Sequence, residues 1–244
     1  MRFLVIPCFN EEKRLIQGEV TKCIEMLNCM VVLVDDGSTD GTLKILNKLS
    51  LQFPQNIDVL PLSANVGKGE AVRAGFNYAF EHGATRVLFC DADFAVGPYD
   101  LLRICNTLDE HTESKAVIGS RIAMFGSNIQ RSAFRHYTGR VFATLVSLTL
   151  GHQIYDTQCG AKVFKVDNEV MRAFSEPFLS RWAFDVEVIG RLLRMEQSRK
   201  NQTLILELPL LNWSEIPGTK LNLVSQLRTV LELLKIRLSL KDWS

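Results

Sequence analysis

Residues 30–41 read Met30-Val31-Val32-Leu33-Val34-Asp35-Asp36-Gly37-Ser38-Thr39-Asp40-Gly41. The apolar run Val31–Val34 does not alternate with polar residues, which predicts a strand buried on both faces, as in a parallel sheet. It runs straight into carboxylates and turn formers, so the strand ends where the chain must reverse. The same pattern recurs on either side: strands are predicted over 2–6, 57–62, 85–90 and 115–120. Helical patterns separate them, over about 11–27, 42–49, 69–81 and, opened by Pro98, 98–108. This βαβ rhythm predicts an α/β fold of Rossmann-like type, a mainly parallel sheet with helices on both faces. The second half is less regular. Helices are expected over 132–150, 167–175 and 184–196, strands over 161–164 and 203–210, and an amphipathic basic helix over 221–240. Residues 1–220 are read as one domain and 221–244 as a C-terminal amphipathic helix suited to a membrane interface.

The chain has 244 residues, 47% hydrophobic and 23% charged, enough for a full core. A net charge of +1 argues against a nucleic-acid binder. The cysteines, Cys8, Cys23, Cys29, Cys90, Cys105 and Cys159, form no CxxC pair and sit mostly in apolar runs, so buried free thiols in a reducing compartment are expected. The chain opens on strand-like sequence without a signal-peptide pattern, and its longest apolar stretch, 141–150, is too short for a bilayer span of about 20 residues.

In open α/β sheets, ligands bind beyond the carboxyl ends of the strands. Those ends carry Pro7, Asn10 and Glu11; Asp35 and Asp36; Asn65 and Lys68; Asp91, Ala92 and Asp93; and Arg121. Each has an ordinary structural reading as a turn or helix cap. Gly67-Lys68-Gly69 is no P-loop, because Ser or Thr is missing at 69, and no dinucleotide fingerprint, because position 72 is Val72. The four apolar residues of "VLFCDADF", 87–94, lead into two carboxylates one position apart. Such a pair repels itself unless a cation lies beside it. Mg²⁺ or Mn²⁺ shared with substrate phosphates would serve, and Lys68 and Arg121 could hold phosphate.

The stretches "VIPCFNEE", "VVLVDDGSTDGT", "NVGKGEAVRAG", "LFCDADF", "VIGSR" and "DTQCGAKVF" occur in that order. Together they resemble the inverting, nucleotide-sugar-dependent glycosyltransferases of family two, which have the GT-A fold. "DTQCGAKVF", "RWAFDVEVI" and "NWSEIPGTKL" resemble the dolichyl-phosphate β-glucosyltransferase branch and its polyprenyl-phosphate relatives. The resemblance implies that Pro7, Asn10, Glu11, Asp36, Asn65 and Lys68 contact the nucleotide. It implies that Asp91, Ala92 and Asp93 meet the donor sugar, with Asp91 and Asp93 on the metal. Arg121, with Arg131 or Arg135, is implied near the acceptor phosphate, and Asp156 and Gln158 beside sugar and acceptor. Arg181, Trp182 and Asp185 are implied to close the site. One departure is Ala95, where some relatives place a third metal ligand.

The implied reaction is inverting transfer of a hexose, glucose favoured, from a nucleoside-diphosphate sugar, UDP favoured, to a polyprenyl or dolichyl phosphate. The implied partners are that donor, the lipid phosphate, a membrane surface and a possible second copy of the chain, with no nucleic acid. The implied location is peripheral, on the cytoplasmic face of a membrane. Two alternatives stand beside it: transfer to a hydroxyl acceptor, in which Asp156 is general base, and a catalytically inactive nucleotide-sugar-binding protein. A nucleotidyltransferase would need a Gly-rich basic loop after the first strand, where this chain has "NEEKR".

Overall fold

The structure is a computed structural model. It describes residues 1–195, 204–214 and 223–243, apart from the side chains of 134, 135 and 223–230. The boundary expected at 220/221 lies outside the described residues. The first half runs β1 (Arg2–Cys8), α1 (Gln17–Leu27), β2 (Cys29–Asp35), α2 (Thr42–Gln52), β3 (Ile57–Pro61), α3 (Lys68–Glu81), β4 (Arg86–Cys90), α4 (Pro98–Glu110) and β5 (Ala116–Ser120). Then follow β6 (Asn128–Gln130), α5 (Ala133–Leu150), β7 (Ala161–Lys165), α6 (Asn168–Ala173), α7 (Phe184–Met195), β8 (Ile205–Pro209), β9 (Asn212–Ser214) and α8 (Leu223–Ser239), which ends in a 3₁₀ turn at Leu240–Trp243.

One seven-stranded sheet has the order β3-β2-β1-β4-β7-β5-β8, and β6 and β9 form a small second sheet. The apolar runs bury both faces, as expected of central parallel strands. Leu4, Ile6, Val31 and Leu33 point to one side, under α1, α2 and α4, while Phe3, Val5, Val32 and Val34 point to the other, under α3, α6 and α7. Burying each such side chain contributes about 1.5–3 kcal/mol. Gly75 lets α3 touch the sheet, since a Cβ there would collide with Val5 and Val34.

Three features depart from expectation. First, α1 begins at Gln17, not near Glu11. Asn10 adopts φ 54°, and the amides of Glu11 and Glu12 donate to Thr42 Oγ1 and Asp40 on the neighbouring loop, so residues 11–16 are drawn sideways before the helix starts. Second, β7 runs antiparallel between β4 and β5. Its beginning therefore lies at the edge where the parallel strands end. Third, β6 and β9, three residues each, carry too little periodicity to read from sequence. The lower part of α8 buries Leu233, Ile236 and Leu240 in a third core cluster with α5 and α7. Among the described residues no helix is long and apolar enough to cross a membrane. All six cysteines are free and buried.

Candidate active site

The carboxyl ends of β1, β2, β4 and β5 and the beginning of β7 bring the predicted residues to one sheet edge. On the outer side, Asp36 gathers the loop after β3. Its carboxylate accepts from Val66 N at 2.8 Å, Gly67 N at 3.0 Å and Asn65 Nδ2 at 3.0 Å. Burial raises its pKa, and although these donors and Arg181 oppose that, the shift remains upward. Asn10 joins the same cluster: its Oδ1 accepts from Thr39 N at 2.9 Å, and its amide donates to Ser38 Oγ at 3.0 Å. Arg181 donates to Asn65 Oδ1 and packs on Gly67, which has φ 101° and whose Cβ position the Arg181 side chain occupies. Pro7, in register with Val34, is the penultimate residue of β1.

At the centre, each candidate metal carboxylate is met by an internal cation. Lys68 Nζ lies 2.6 Å from Asp91 Oδ1, and Arg14 donates to Asp93 Oδ2 at 2.9 Å. Asp93 Oδ1 accepts from Ala95 N at 3.1 Å, at a turn where Phe94 adopts φ 49°. Burial would push the Asp91 carboxyl up, but Lys68, Lys162 and Arg121 outweigh it and hold it below the usual range. Glu11 behaves oppositely. Burial pushes it up, Arg14 opposes, and Asp93 and Asp91 add to the rise, so its pKa is about 7. Ala92 turns its methyl into the core and offers the site only backbone.

On the inner side, Asp156 and Arg121 form one unit. Asp156 accepts from Arg121 Nε at 2.7 Å, its terminal nitrogen at 2.8 Å and its amide at 3.0 Å. Burial alone would raise the Asp156 pKa, but the guanidinium and its hydrogen bonds lower it. Glu207 on β8 fixes the loop by accepting from the amides of Tyr155 and Asp156, both at 2.8 Å. Arg121 also lies 5.4 Å from the Trp213 ring centroid. Beside it opens a cleft of about 270 Å³ lined by Arg121, Ile129, Arg131, His136 and Tyr137. Arg131 packs against Gly139. It makes no ion pair with the described residues, and burial and the nearby Arg121 lower its pKa. Gln158 lies half-buried in the Asp156 loop. The Arg135 side chain lies outside the described residues.

The trio expected to close the site divides. Arg181 braces the loop before α3, Trp182 is exposed, and Asp185 is buried beneath the site, 2.6 Å from Lys162 Nζ. Sequence reading missed Arg14, Lys162 and Glu207. Lys162 and Glu207 carried a signal, a lone charge inside an otherwise apolar strand, whereas Arg14 carried none.

Residues 3–170 match the family model described as glycosyl transferase family 2. The chain belongs to that family. Its resemblance to the family's dolichyl branch also holds. The human dolichyl-phosphate beta-glucosyltransferase is 36% identical over 233 residues, covering 89% of this chain and 68% of that protein. The Saccharomyces cerevisiae enzyme of the same name is 31% identical over 259 residues, covering 97% and 74%. Among solved structures, glucosyl-3-phosphoglycerate synthase from Mycobacterium tuberculosis, in complex with Mn²⁺, uridine diphosphate and glucosyl-3-phosphoglycerate, superposes with a TM-score of 0.68 at 18% identity, covering 97% of this chain and 79% of that one. A Pyrobaculum calidifontis mannosyltransferase in complex with GDP-mannose and Mn²⁺ gives 0.59 at 17%, covering 96% and 62%. The fold is GT-A, and this family member is a glycosyltransferase.

Proposed function

We propose that this chain transfers glucose, with inversion, from UDP-glucose to a dolichyl or polyprenyl phosphate at a membrane surface. The observation that carries the reading is the state of Asp156. A carboxylate held below its usual range by a bidentate guanidinium is a poor proton acceptor at neutral pH. A hydroxyl acceptor needs that base. A phosphate monoester does not, because its second ionisation lies near about 6 and it arrives already anionic. It needs cations to hold it, and Arg131, without an ion-pair partner among the described residues, lines the adjacent cleft with Arg121. The human and yeast relatives are dolichyl-phosphate beta-glucosyltransferases, which supports the same acceptor.

On the donor side, Asp36, Asn10 and Asn65 order the loops that would receive the nucleotide, and Lys68 is placed to turn from Asp91 toward the diphosphate. Asp91 and Asp93 suit a divalent cation: they are hard oxygen donors at one strand end, each now paired with one long cationic side chain that a metal would replace. When bound, Mg²⁺ or Mn²⁺ supplies charge neutralisation for the departing diphosphate. Tyr137, Val141 and Leu148 form an exposed stripe on α5, and Leu231, Leu234 and Leu238 form another on α8. With exposed Lys235 and Arg237 beside the second stripe, this surface supports peripheral docking on the cytoplasmic leaflet, where anionic lipids lie.

The test is transfer from UDP- and GDP-sugars, with Mn²⁺, to a short polyprenyl phosphate and to sugar hydroxyl acceptors. Glucose transfer to the phosphate is expected. Transfer only to a hydroxyl, or only from another donor, overturns the reading.

A further inference from the structure

Lys162 and Asp185 lie beneath the site, 2% and 5% exposed, above a small aromatic chamber formed by Phe76, Phe164, Phe174 and Phe184. Removing two charges from water into such surroundings is costly, and an apolar pair of the same volume is often as stable or more so. Core filling is therefore a weak reason for these residues to be charged. Their contacts suggest another.

Lys162 Nζ has three partners: Asp185 Oδ1 at 2.6 Å, the carbonyl of Cys159, and the Phe89 ring, whose centroid is 5.3 Å away. Lys68 Nζ lies 5.1 Å from the same centroid while it pairs with Asp91. Lys162 holds the Cys159 carbonyl, and the next residue, Gly160, is the surface on which Asp91 rests. Gly160 O accepts from Asp91 N at 3.2 Å, and a Cβ on Gly160 would collide with the Asp91 carboxylate. Asp156 lies on the same short loop. Lys162 is thus tied at one end to α7 through Asp185 and at the other to the peptide that seats Asp91.

We propose that Lys162 and Asp185 are positioning residues, which set the affinity of the site for a divalent cation with a nucleoside diphosphate by fixing the Cys159–Gly160 peptide under Asp91. The proposal rests on the reading of Asp91 and Asp93 as the donor site. The ammonium must be at the strand entry, because only there can one cation reach both the carbonyl and the α7 carboxylate. A neutral side chain of equal length fills the volume and leaves the peptide unheld.

The experiment compares wild type, Lys162→Met, Asp185→Asn and the double variant Lys162→Met/Asp185→Leu by calorimetric binding of Mn²⁺ with UDP and by thermal melting. Partners that orient metal ligands typically govern about 10–100-fold in affinity. Lys162→Met is expected to weaken Mn²⁺–UDP binding by about tenfold or more and to lower the melting temperature. The double variant is expected to regain the melting temperature without regaining the affinity. Asp185→Asn, which keeps an oxygen acceptor for Lys162 but removes its counter-charge, is expected to lower both the affinity and the melting temperature. Recovery of wild-type affinity in the double variant overturns the proposal, because the pair is then only structural. So does unchanged binding in Lys162→Met, or in Asp185→Asn if the other variants fail to fold. A wild type that binds no Mn²⁺–UDP overturns the donor reading itself, and this proposal with it.

Discussion

The two sides of the site handle charge differently. At the centre of the proposed donor side, Asp91 and Asp93 each pair directly with one long side chain, Lys68 or Arg14, and the Arg14 side chain is 40% exposed. On the acceptor side Asp156 receives three hydrogen bonds from Arg121 alone, and Glu207 holds its backbone from below. In the proposed reading, the first arrangement would give way to a more highly charged ligand. The second is already assembled and, among the described residues lining the cleft, leaves Arg131 without an ion-pair partner. A glycosyltransferase that takes a metal-bound diphosphate from one side and an anionic acceptor from the other would need this asymmetry.

The largest expected effect comes from emptying the donor side. Asp93→Ala should lower transfer by roughly 10³-fold, equivalent to about 4 kcal/mol of transition-state stabilisation. Wild-type rates in a steady-state assay would erase the distinction drawn above. Next is the preassembled side: Arg121→Met leaves Asp156 buried and unpaired, a loss of about 3–5 kcal/mol in denaturant unfolding. Arg14→Met removes an exposed pair and should cost less than about 1 kcal/mol in the same measurement. Equal losses for Arg14 and Arg121 would break the comparison.

The smallest effect sharpens it through pH. The Glu11 carboxyl is raised from 4.5 to about 7, by burial first and then by Asp93 and Asp91 against Arg14. A carboxyl raised in the folded state favours folding below its unfolded pKa, and that contribution is lost as pH rises through the folded value. Glu11→Gln should therefore melt above wild type at pH 8, with the difference vanishing near pH 4.5. A difference that is constant with pH would show that Glu11 ionises freely and that the donor-side carboxylates do not act on it.

The parallel strands were legible because burial on both faces writes an unbroken apolar run, as in Val31–Val34, and the turn residues after each run mark the site edge. The positions of Asp36, Asp91, Asp93, Arg121 and Asp156 followed from that pattern and from the family resemblance. What the pattern could not give was pairing. Nothing local to Lys68 says that it meets Asp91 rather than solvent, and nothing near Asp185 says that its partner lies on β7. The start of α1 was misplaced for a similar reason. The helical spacing after Glu11 is real, but the amides there are claimed by Thr42 and Asp40 from another loop. Long-range contacts of this kind override local preference.

The reversed strand β7 has a consequence for synthesis. In the finished sheet β5 is flanked by β7 and β8, and both follow it in the chain. A nascent chain that has reached residue 120 can pair β1 through β4, but it leaves β4 with an open apolar edge and β5 with no neighbour. Such an edge is a template for association between chains, and it closes only when residues 161–165 have emerged. Fragments ending before that point should aggregate, whereas those extending past it should lose this route to self-association.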